Sequence, residues 1–526
     1  MKKQSSTIFI ASTIIFMFTS QITKSQICFD PPVTYTPGAG PQSIATADFN
    51  GDGKKDLVVS NSNSSNLSVL LNSGTGTFLS AVNYNAGTYP NSITTADFNN
   101  DTKQDIAVCN YGSANVSVFM GTGSGTFGAA TNFTVGLQPD FIRSADFNGD
   151  GKADLAIANK GSSNVSILLG TGSGSFAAVT NFSCNSSSNP IGLTIADFNN
   201  DTKTDLAVLG QSNIYILLGT GTGSFSPAVS SFAGPSVHSI ASGDFNADGN
   251  IDLAVSNVNS TSSLVTFLGN GTGTFGPGAA FMVAGAYAAM TLDFNNDGKM
   301  DIITSSWGST GIISFAYGNG TATLSPVVNN TLTLKPRFMC YGDFNSDGKL
   351  DIAAVNELND NISVLINNTP IVTAVSSTSV ICVGQTATLT AGGAATYTWN
   401  TGSNAMNIFV MPSTTTTYTL TGANATSCTN KTTITQTVNS CTGLNEQQQA
   451  IESVLVYPNP SNSSVNFELQ AISEVLMTNV YGQPVFAERL MPGKQQLNIS
   501  GLSMGIYFLK ISAKNNQQQT IKIIKE

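Results

Sequence analysis

One nine-residue phrase, Asp-Phe-Asn-x-Asp-x-x-x-Asp, occurs seven times, beginning at Asp48, Asp97, Asp146, Asp197, Asp244, Asp293 and Asp343. The steps between copies are 49, 49, 51, 47, 49 and 50 residues. A second marker, a Gly/Thr/Ser turn ending in an aromatic or apolar residue, keeps phase with it at Phe78, Phe127, Phe176, Phe225, Phe275 and Leu324. Two markers in register over so many copies restrict the chain to a repeat architecture, in which each unit hides its apolar faces against its neighbours.

Within a unit the apolar segments are short. In the first they are Ser43–Ala47, Asp56–Ser60, Asn66–Leu71 and Phe78–Tyr84, rich in Val, Ile, Leu, Phe and Thr and bounded by Gly, Asn, Ser or Asp. Four strands per unit and seven units predict an all-β chain whose residues 26–368 form a seven-bladed β-propeller. An open solenoid is the competing architecture, but its repeats are normally shorter. The seventh unit ends after its third strand near Asn368, while Pro32–Ser43, before the first phrase, reads as a fourth strand with its exit loop. The two chain ends are therefore expected to share the last blade, which removes a frayed join.

Alternating oxygen side chains on a tight turn are how a hard cation such as Ca²⁺ is wrapped. The first loop offers Asp48, Asn50, Asp52 and Asp56, with the carbonyl of Lys54 between them. The second offers Asp97, Asn99, Asp101, Lys103 and Asp105, and the third Asp146, Asn148, Asp150, Lys152 and Asp154. The fourth offers Asp197, Asn199, Asp201, Lys203 and Asp205, and the fifth Asp244, Asn246, Asp248, Asn250 and Asp252. The sixth supplies Asp293, Asn295, Asp297, Lys299 and Asp301, and the seventh Asp343, Asn345, Asp347, Lys349 and Asp351. The early spacing is that of an EF-hand, but the Glu at position 12 is missing and strands flank the loop, so that reading is rejected. Twenty-one of the 24 Asp residues lie in these loops, and residues 26–368 hold 25 acids against 11 bases. Up to seven Ca²⁺ would bring that balance of −14 to neutrality. Thr102 and Thr202 replace the Gly found at position 6 of the other loops, so loops two and four are expected to bind most weakly.

These loops resemble the FG-GAP/VCBS repeats of integrin α-subunit propellers and of bacterial secreted proteins. The resemblance covers roughly residues 30–368 and implies a calcium-stabilised propeller; adhesins, lectin-like binders and non-catalytic parts of enzymes share it, so it names no ligand.

After the ring, residues 369–442 are rich in Thr, Ser and Ala, and their alternation suggests a small β-sandwich resembling the Ig-like modules of bacterial surface proteins. Trp399 is read there as a core residue, and a Cys382–Cys428 bridge is expected; Cys109, Cys184 and Cys340 read as single thiols. Residues 443–452, with consecutive Gln, read as a linker. Residues 453–526 resemble the type A C-terminal sorting domain of the type IX secretion system, through Val456-Tyr-Pro-Asn-Pro, Val480-Tyr-Gly-Gln, Gly505-Ile-Tyr-Phe-Leu-Lys and Lys522-Ile-Ile-Lys. The resemblance implies handling by that secretion machinery, followed by release or attachment at the outer surface. At the other end, Lys2, Lys3 and the apolar run Ile8–Phe18 read as a signal peptide over residues 1–25. No later stretch is long and apolar enough for a membrane helix in the mature chain.

Catalysis is thinly provisioned. His238 is the single His, Glu357 is the first Glu, and no CxxC, GxSxG elbow or free carboxylate pair stands out in the ring. An acidic chain with few bases also excludes a nucleic-acid binder. The reading is a non-catalytic recognition or adhesion protein taking a glycan or protein ligand. The alternative is a calcium-dependent polysaccharide-active enzyme or its accessory, and a structural spacer is a third class. Six residues before each phrase stand Gln42, Asn91, Asp140, Ile191, His238, Tyr287 and Arg337, all different where the loops are nearly uniform. They are expected at the channel mouth on the face away from the Asp loops. Arg337, Tyr287 and His238, with Trp307 nearby, are the candidate ligand contacts, offering charge, a stacking face and a titratable donor.

Overall fold

In the computed structural model the described residues are 27–184, 188–258, 263–283, 286–306, 311–321, 323–325, 327–331, 335–440, 454–513 and 518–526. The expected leader, the linker and Trp307 lie outside them. By compactness the chain divides into two units. One runs up to Val375 and includes Thr390–Ile408 and Tyr418–Ile434; the other holds Ser376–Leu389, Phe409–Thr417 and Thr435–Glu526. The division runs through the segment expected as one module.

Among the described residues, the repeats fold into seven four-stranded antiparallel sheets of a β-propeller. The first sheet is Pro41–Ala47, Asp56–Asn61, Asn66–Leu70 and Val82–Asn85, in chain order from inside to outside. Its second strand, Asp-Leu-Val-Val-Ser-Asn, is buried throughout, because both faces of a blade meet neighbours. Leu57 and Val59 pack with Val355 and Ile362 of the last sheet, while Val58 packs with Ile93 and Ile106 of the second. Alternate residues point to opposite faces, so an apolar run rather than strict alternation is what this position requires. Each such Val or Leu contributes about 1.5–3 kcal/mol by burial.

The innermost strands stand side by side, Pro41–Ala47 next to Pro90–Ala96, that strand next to Pro139–Ala145, and Met339–Gly342 next to Pro41–Ala47. The last sheet is completed by Val33–Tyr35, which pairs antiparallel with Asn361–Leu365 through Thr34 opposite Ser363. The chain ends share a blade, as the truncated seventh unit predicted. Tyr35 also meets Phe78 edge-on at 5.6 Å.

Cysteine pairing differs from expectation. Cys428 is bonded to Cys28, 400 residues away, and not to Cys382. Two hydrogen bonds show why: the Asn368 N–H donates to the Cys28 carbonyl at 3.0 Å, and Asn424 Nδ2 donates to the Asn368 carbonyl at 2.7 Å, which brings the turn before Cys428 to the start of the ring. Cys382 ends a strand paired with Thr437–Asn439 and belongs to a different disulfide. Cys109, Cys184 and Cys340 are free thiols.

After the ring come a three-stranded and a four-stranded sheet spanning Thr373–Asn439. Trp399 is buried and its indole N–H donates to the Ala405 carbonyl at 3.0 Å, a core role. The C-terminal segment pairs Ser464–Leu469 with Gly493–Asn498 and builds a four-stranded sheet ending in Gln518–Lys525. Val465, Phe467, Met477, Leu509 and Ile523 form its core. Among the described residues no helix is long and apolar enough to cross a membrane.

Candidate functional site

The two ends of each innermost strand carry different chemistry. At its C-terminal end, Ala47 pairs with Asp56, and residues 48–55 form the connecting loop; the same register recurs through Ala96–Asp105 to Gly342–Asp351. In the first loop, Asp48 Oδ1 accepts from the amides of Gly51 and Asp52 at 2.7 and 3.2 Å, and Asp48 Oδ2 from Gly53 at 2.8 Å. Asn50 Oδ1 accepts from the same Asp52 amide at 3.0 Å, so the oxygens at positions 1 and 3 meet on one donor. This shared donor recurs in every loop, from Asp101 at 3.1 Å from both Asp97 and Asn99 to Asp347 at 3.0 and 3.1 Å from Asp343 and Asn345. Position 6 requires a left-handed backbone: φ is 83° at Gly53, and Thr102 and Thr202 adopt 67° despite a Cβ.

The ninth Asp stands apart. Asp56 is fully buried, with Oδ2 accepting from the Phe49 amide at 2.9 Å and Oδ1 from the Asn72 amide at 2.7 Å. All seven copies make this pair, and in five of them, among the described residues, the carbonyl of the clamped Phe receives a neighbouring blade's turn. Gly125 donates to Phe49 at 2.9 Å, Gly174 to Phe98 at 3.0 Å, and Gly76 to Phe344 at 2.9 Å across the ring closure. The ninth Asp thus ties its loop to its own sheet, and the residue it clamps ties the loop to the next.

Charge is unevenly settled in these loops. Burial raises the Asp56 carboxyl above the usual range, and Asp52 and Asp48 push it further; for Asp301 and Asp351 it reaches about 6. The backbone N–H of position 7 holds the fifth carboxyl low, as at Asp52 and Asp101. Lysines pair with that fifth carboxyl, at 2.9 Å for Lys152–Asp150 and 3.2 Å for Lys103–Asp101, and none of the described ion pairs reaches the first Asp. The oxygens of positions 1, 3 and 5 and the carbonyl of position 7 are a hard donor set in one turn, which fits a divalent cation. Among the described residues no three acidic, His or Cys side chains converge on a point, since the ninth Asp faces its backbone donors.

At the N-terminal end of the same strands lies the varied position. Pairing skips Gln42, Asn91, Asp140, His238 and Tyr287, each in a β-bulge against its second strand. An unpaired residue is re-aimed by a bulge, and two residues earlier the chain turns through left-handed backbone at Gly40, Tyr89, Gln138, Asn189 and Ser236. Four of these five carry side chains, strain of the kind that gathers at binding sites. Neighbouring blades hold this backbone: Ser60 Oγ donates to the carbonyl of bulged Asn91 and Ser256 Oγ to that of bulged Tyr287, both at 2.5 Å, and Ser305 Oγ to that of Arg337 at 2.6 Å.

Six of the seven varied residues, all but Gln42, line one cavity of about 550 Å³. Phe141 and Phe338, from the third and last sheets, approach across the axis to 6.4 Å, with Tyr287 at 6.1 Å from Phe338. The cavity is a cup floored by aromatic rings. Asn91 Nδ2 donates to Asp140 Oδ1 at 2.5 Å, and burial lifts the Asp140 carboxyl to about 6 despite Lys160 and Arg337 nearby. Arg337 bonds Glu357 at 2.9 Å and Gln42 Oε1, while Gln42 Nε2 donates to Glu357 at 2.9 Å.

The structure brings His238, Tyr287 and Arg337 together as the sequence predicted, with one correction. The stacking face of Tyr287 is taken: His238 lies on it at 4.6 Å, and Arg337 stands 5.8 Å from its ring. Burial, and then Arg337 and Lys160, lower the His238 pKa from its ordinary value, which favours the neutral imidazole. The sequence reading missed Phe141, Phe338, Gln211 and Lys160 as cup residues. Lys160 was legible only as a second-to-third-strand loop residue. Tyr111, from an equivalent loop, packs on Tyr89 at 6.0 Å and is not among the lining residues.

Comparisons with known proteins agree with the repeat. The family described as FG-GAP-like repeat matches residues 48–108, 97–157, 146–208, 197–255, 244–304 and 293–354. The secretion system C-terminal sorting domain matches residues 455–526. No curated protein matches. Among solved structures, an Agrocybe aegerita lectin described as recognising non-reducing terminal N-acetylglucosamine is 20% identical, with a TM-score of 0.43, over 62% of this chain and 85% of that one. BBS1N, solved in complex with ARL6DN, is 12% identical, with a TM-score of 0.48, over 65% and 98%.

Proposed function

The chain belongs to the FG-GAP-like repeat proteins and ends in a secretion-system sorting domain, which makes it a secreted or outer-surface protein handled by the type IX machinery, and from this premise we propose that it is a non-catalytic recognition protein whose propeller is held by calcium and binds a glycan or protein ligand in the cup. One observation carries the reading. Six different side chains from six blades converge on one cavity, four of them from β-bulges, at the position where the repeat abandons uniformity. Drift at solvated positions would not need bulged backbone held by a neighbouring blade's serine. A cup of this volume suits a small ligand or a projecting group of a larger one.

Its one lining carboxylate, Asp140, is engaged by Asn91, and Glu357, the partner of Arg337, is engaged by Arg337 and Gln42, which favours binding over acid–base turnover. Calcium would be held by Asp48, Asn50, Asp52 and the Lys54 carbonyl and their counterparts, with the ninth Asp adding charge behind the loop. When bound it neutralises the crowded carboxylates and stiffens loops that the next blade grips.

The test is a glycan and protein array probed with the purified protein in millimolar Ca²⁺, followed by His238→Ala and Arg337→Ala. Both variants should lose the array signal while Asp150→Ala keeps it. Undiminished binding by both cup variants would place the ligand elsewhere.

A further inference from the structure

The ring's acids gather in the Asp loops, and most of its bases outside those loops gather at this cup. Seven of its 11 bases, Lys54, Lys55, Lys103, Lys152, Lys203, Lys299 and Lys349, sit in the Asp loops. Three of the other four, Arg143, Lys160 and Arg337, stand at or beside the cup. Arg337 is neutralised by Glu357. The other two are not. Lys160 lines the cavity, and among the described residues its amine has neither an ion-pair nor a hydrogen-bond partner. Arg143 lies over the Phe141 ring at 4.3 Å, its guanidinium donating, among the described residues, only to the Ile142 carbonyl of its own strand; burial lowers its pKa to about 10. Against these two cations stands the single carboxyl of Asp140. The remaining wall is amide and hydroxyl, Asn91, Ser92, Gln211, Ser212 and Ser236. Such a wall matches a ligand rich in hydroxyl groups, and an unpaired amine at its rim matches a carboxylate.

Resting on the reading of the cup as the recognition site, we propose that its ligand is an acidic saccharide of the uronic-acid type, with Lys160 taking the sugar carboxylate and the amide and hydroxyl wall taking the ring hydroxyls. Arg143 adds positive potential from below the aromatic floor without contact. A neutral sugar would leave Lys160 unpaired, and an acidic peptide would leave the amide wall unused.

The experiment is calorimetric titration of the full chain in millimolar Ca²⁺ with trimers of galacturonate, glucuronate and mannuronate, their carboxyl-reduced counterparts, and hexaglutamate. At least one uronate trimer should bind tenfold or more tightly than its reduced form. Lys160→Gln should weaken it about tenfold, and Lys160→Arg should keep it within threefold, with melting unchanged. Equal binding of a reduced trimer, lost in His238→Ala, would overturn the acidic class and leave the cup as the site. Binding of hexaglutamate but no trimer, silence of every trimer, or indifference to Lys160→Gln would also overturn the proposal, and the array with the cup variants decides the underlying reading separately.

Discussion

Asp150 and Asp154 share a loop, and the structure separates what each does. Asp154→Ala removes the acceptor of two buried amides, Phe147 at 2.9 Å and Gly170 at 2.7 Å. Hydrogen bonds to a charged group are worth about 1.5–3 kcal/mol each, and orphaned buried donors add to the loss. Release of the desolvated carboxylate offsets part, leaving a net cost of roughly 3–4 kcal/mol. Phe147 also receives Gly223 of the next blade at 3.0 Å, so the loss spreads to the inter-blade contact. Asp150 is exposed and bonded to Lys152 at 2.9 Å, a solvent-screened surface pair that adds little to stability. Its value lies in the cation, where a site with a dissociation constant of about 0.1–1 mM contributes on the order of 1 kcal/mol in millimolar Ca²⁺. At about 2 cal/mol/K of unfolding entropy per residue, a ring of this length shifts its midpoint by roughly 1.5 °C per kcal/mol. Scanning calorimetry should find Asp154→Ala lowered by about 5 °C with or without chelator. Asp150→Ala should be lowered by about 1–2 °C in Ca²⁺ and unchanged in EDTA. If both variants lose the same amount and chelator erases both losses, the ninth Asp is a ligand like the others and the backbone clamp is not its main task.

Three further outcomes follow. Thr102→Gly and Thr202→Gly relieve a side chain held at φ 67°, so each should tighten its loop's Ca²⁺ affinity several-fold by terbium luminescence titration; no change would remove strain as the cause of weak sites. Asp140 is faced by Lys160, Arg337, Asn91, Tyr287 and Cys109, and its folded carboxyl, raised from 3.8 to about 6, binds its proton more tightly than the unfolded chain does. Its contribution is therefore fully present below about pH 4 and is lost as pH rises toward 6, up to roughly 3 kcal/mol; Asp140→Asn should flatten that part of the urea-midpoint profile and stabilise the ring at pH 7, and an unchanged slope would refute the burial argument. Cys28→Ser with Cys428→Ser opens a bridge spanning 400 residues, and the melt should fall by several degrees, since chain-entropy arguments cap the loss near 6 kcal/mol; an unaltered melt would mean that the shared last blade alone secures the chain end.

Much of this was legible because a repeat averages out local ambiguity. The innermost, second and third strands of the first unit fall within two residues of their reading, and the varied position six residues before each phrase does converge. What escaped is non-local or backbone-made. The ninth Asp has the composition of a ligand, and only burial and its two amide donors, one of them 16 residues on, show the clamp. Tyr287 has a free face in a sequence but not beside His238. The Cys28–Cys428 bridge depends on the ring returning to its start, which no spacing between cysteines encodes. Lys160 gains its meaning from the absence of a partner among its described neighbours.

The central claim, that recognition happens in the cup, is tested most directly by amide hydrogen exchange on the protein with and without its tightest array ligand. Protection should rise at the bulges around Asn91, Asp140, His238 and Tyr287, while the Asp loops, at the other ends of the same strands, stay unchanged in constant Ca²⁺. Protection confined to the outer strands, such as Thr131–Thr134 or Val229–Phe232, would contradict it.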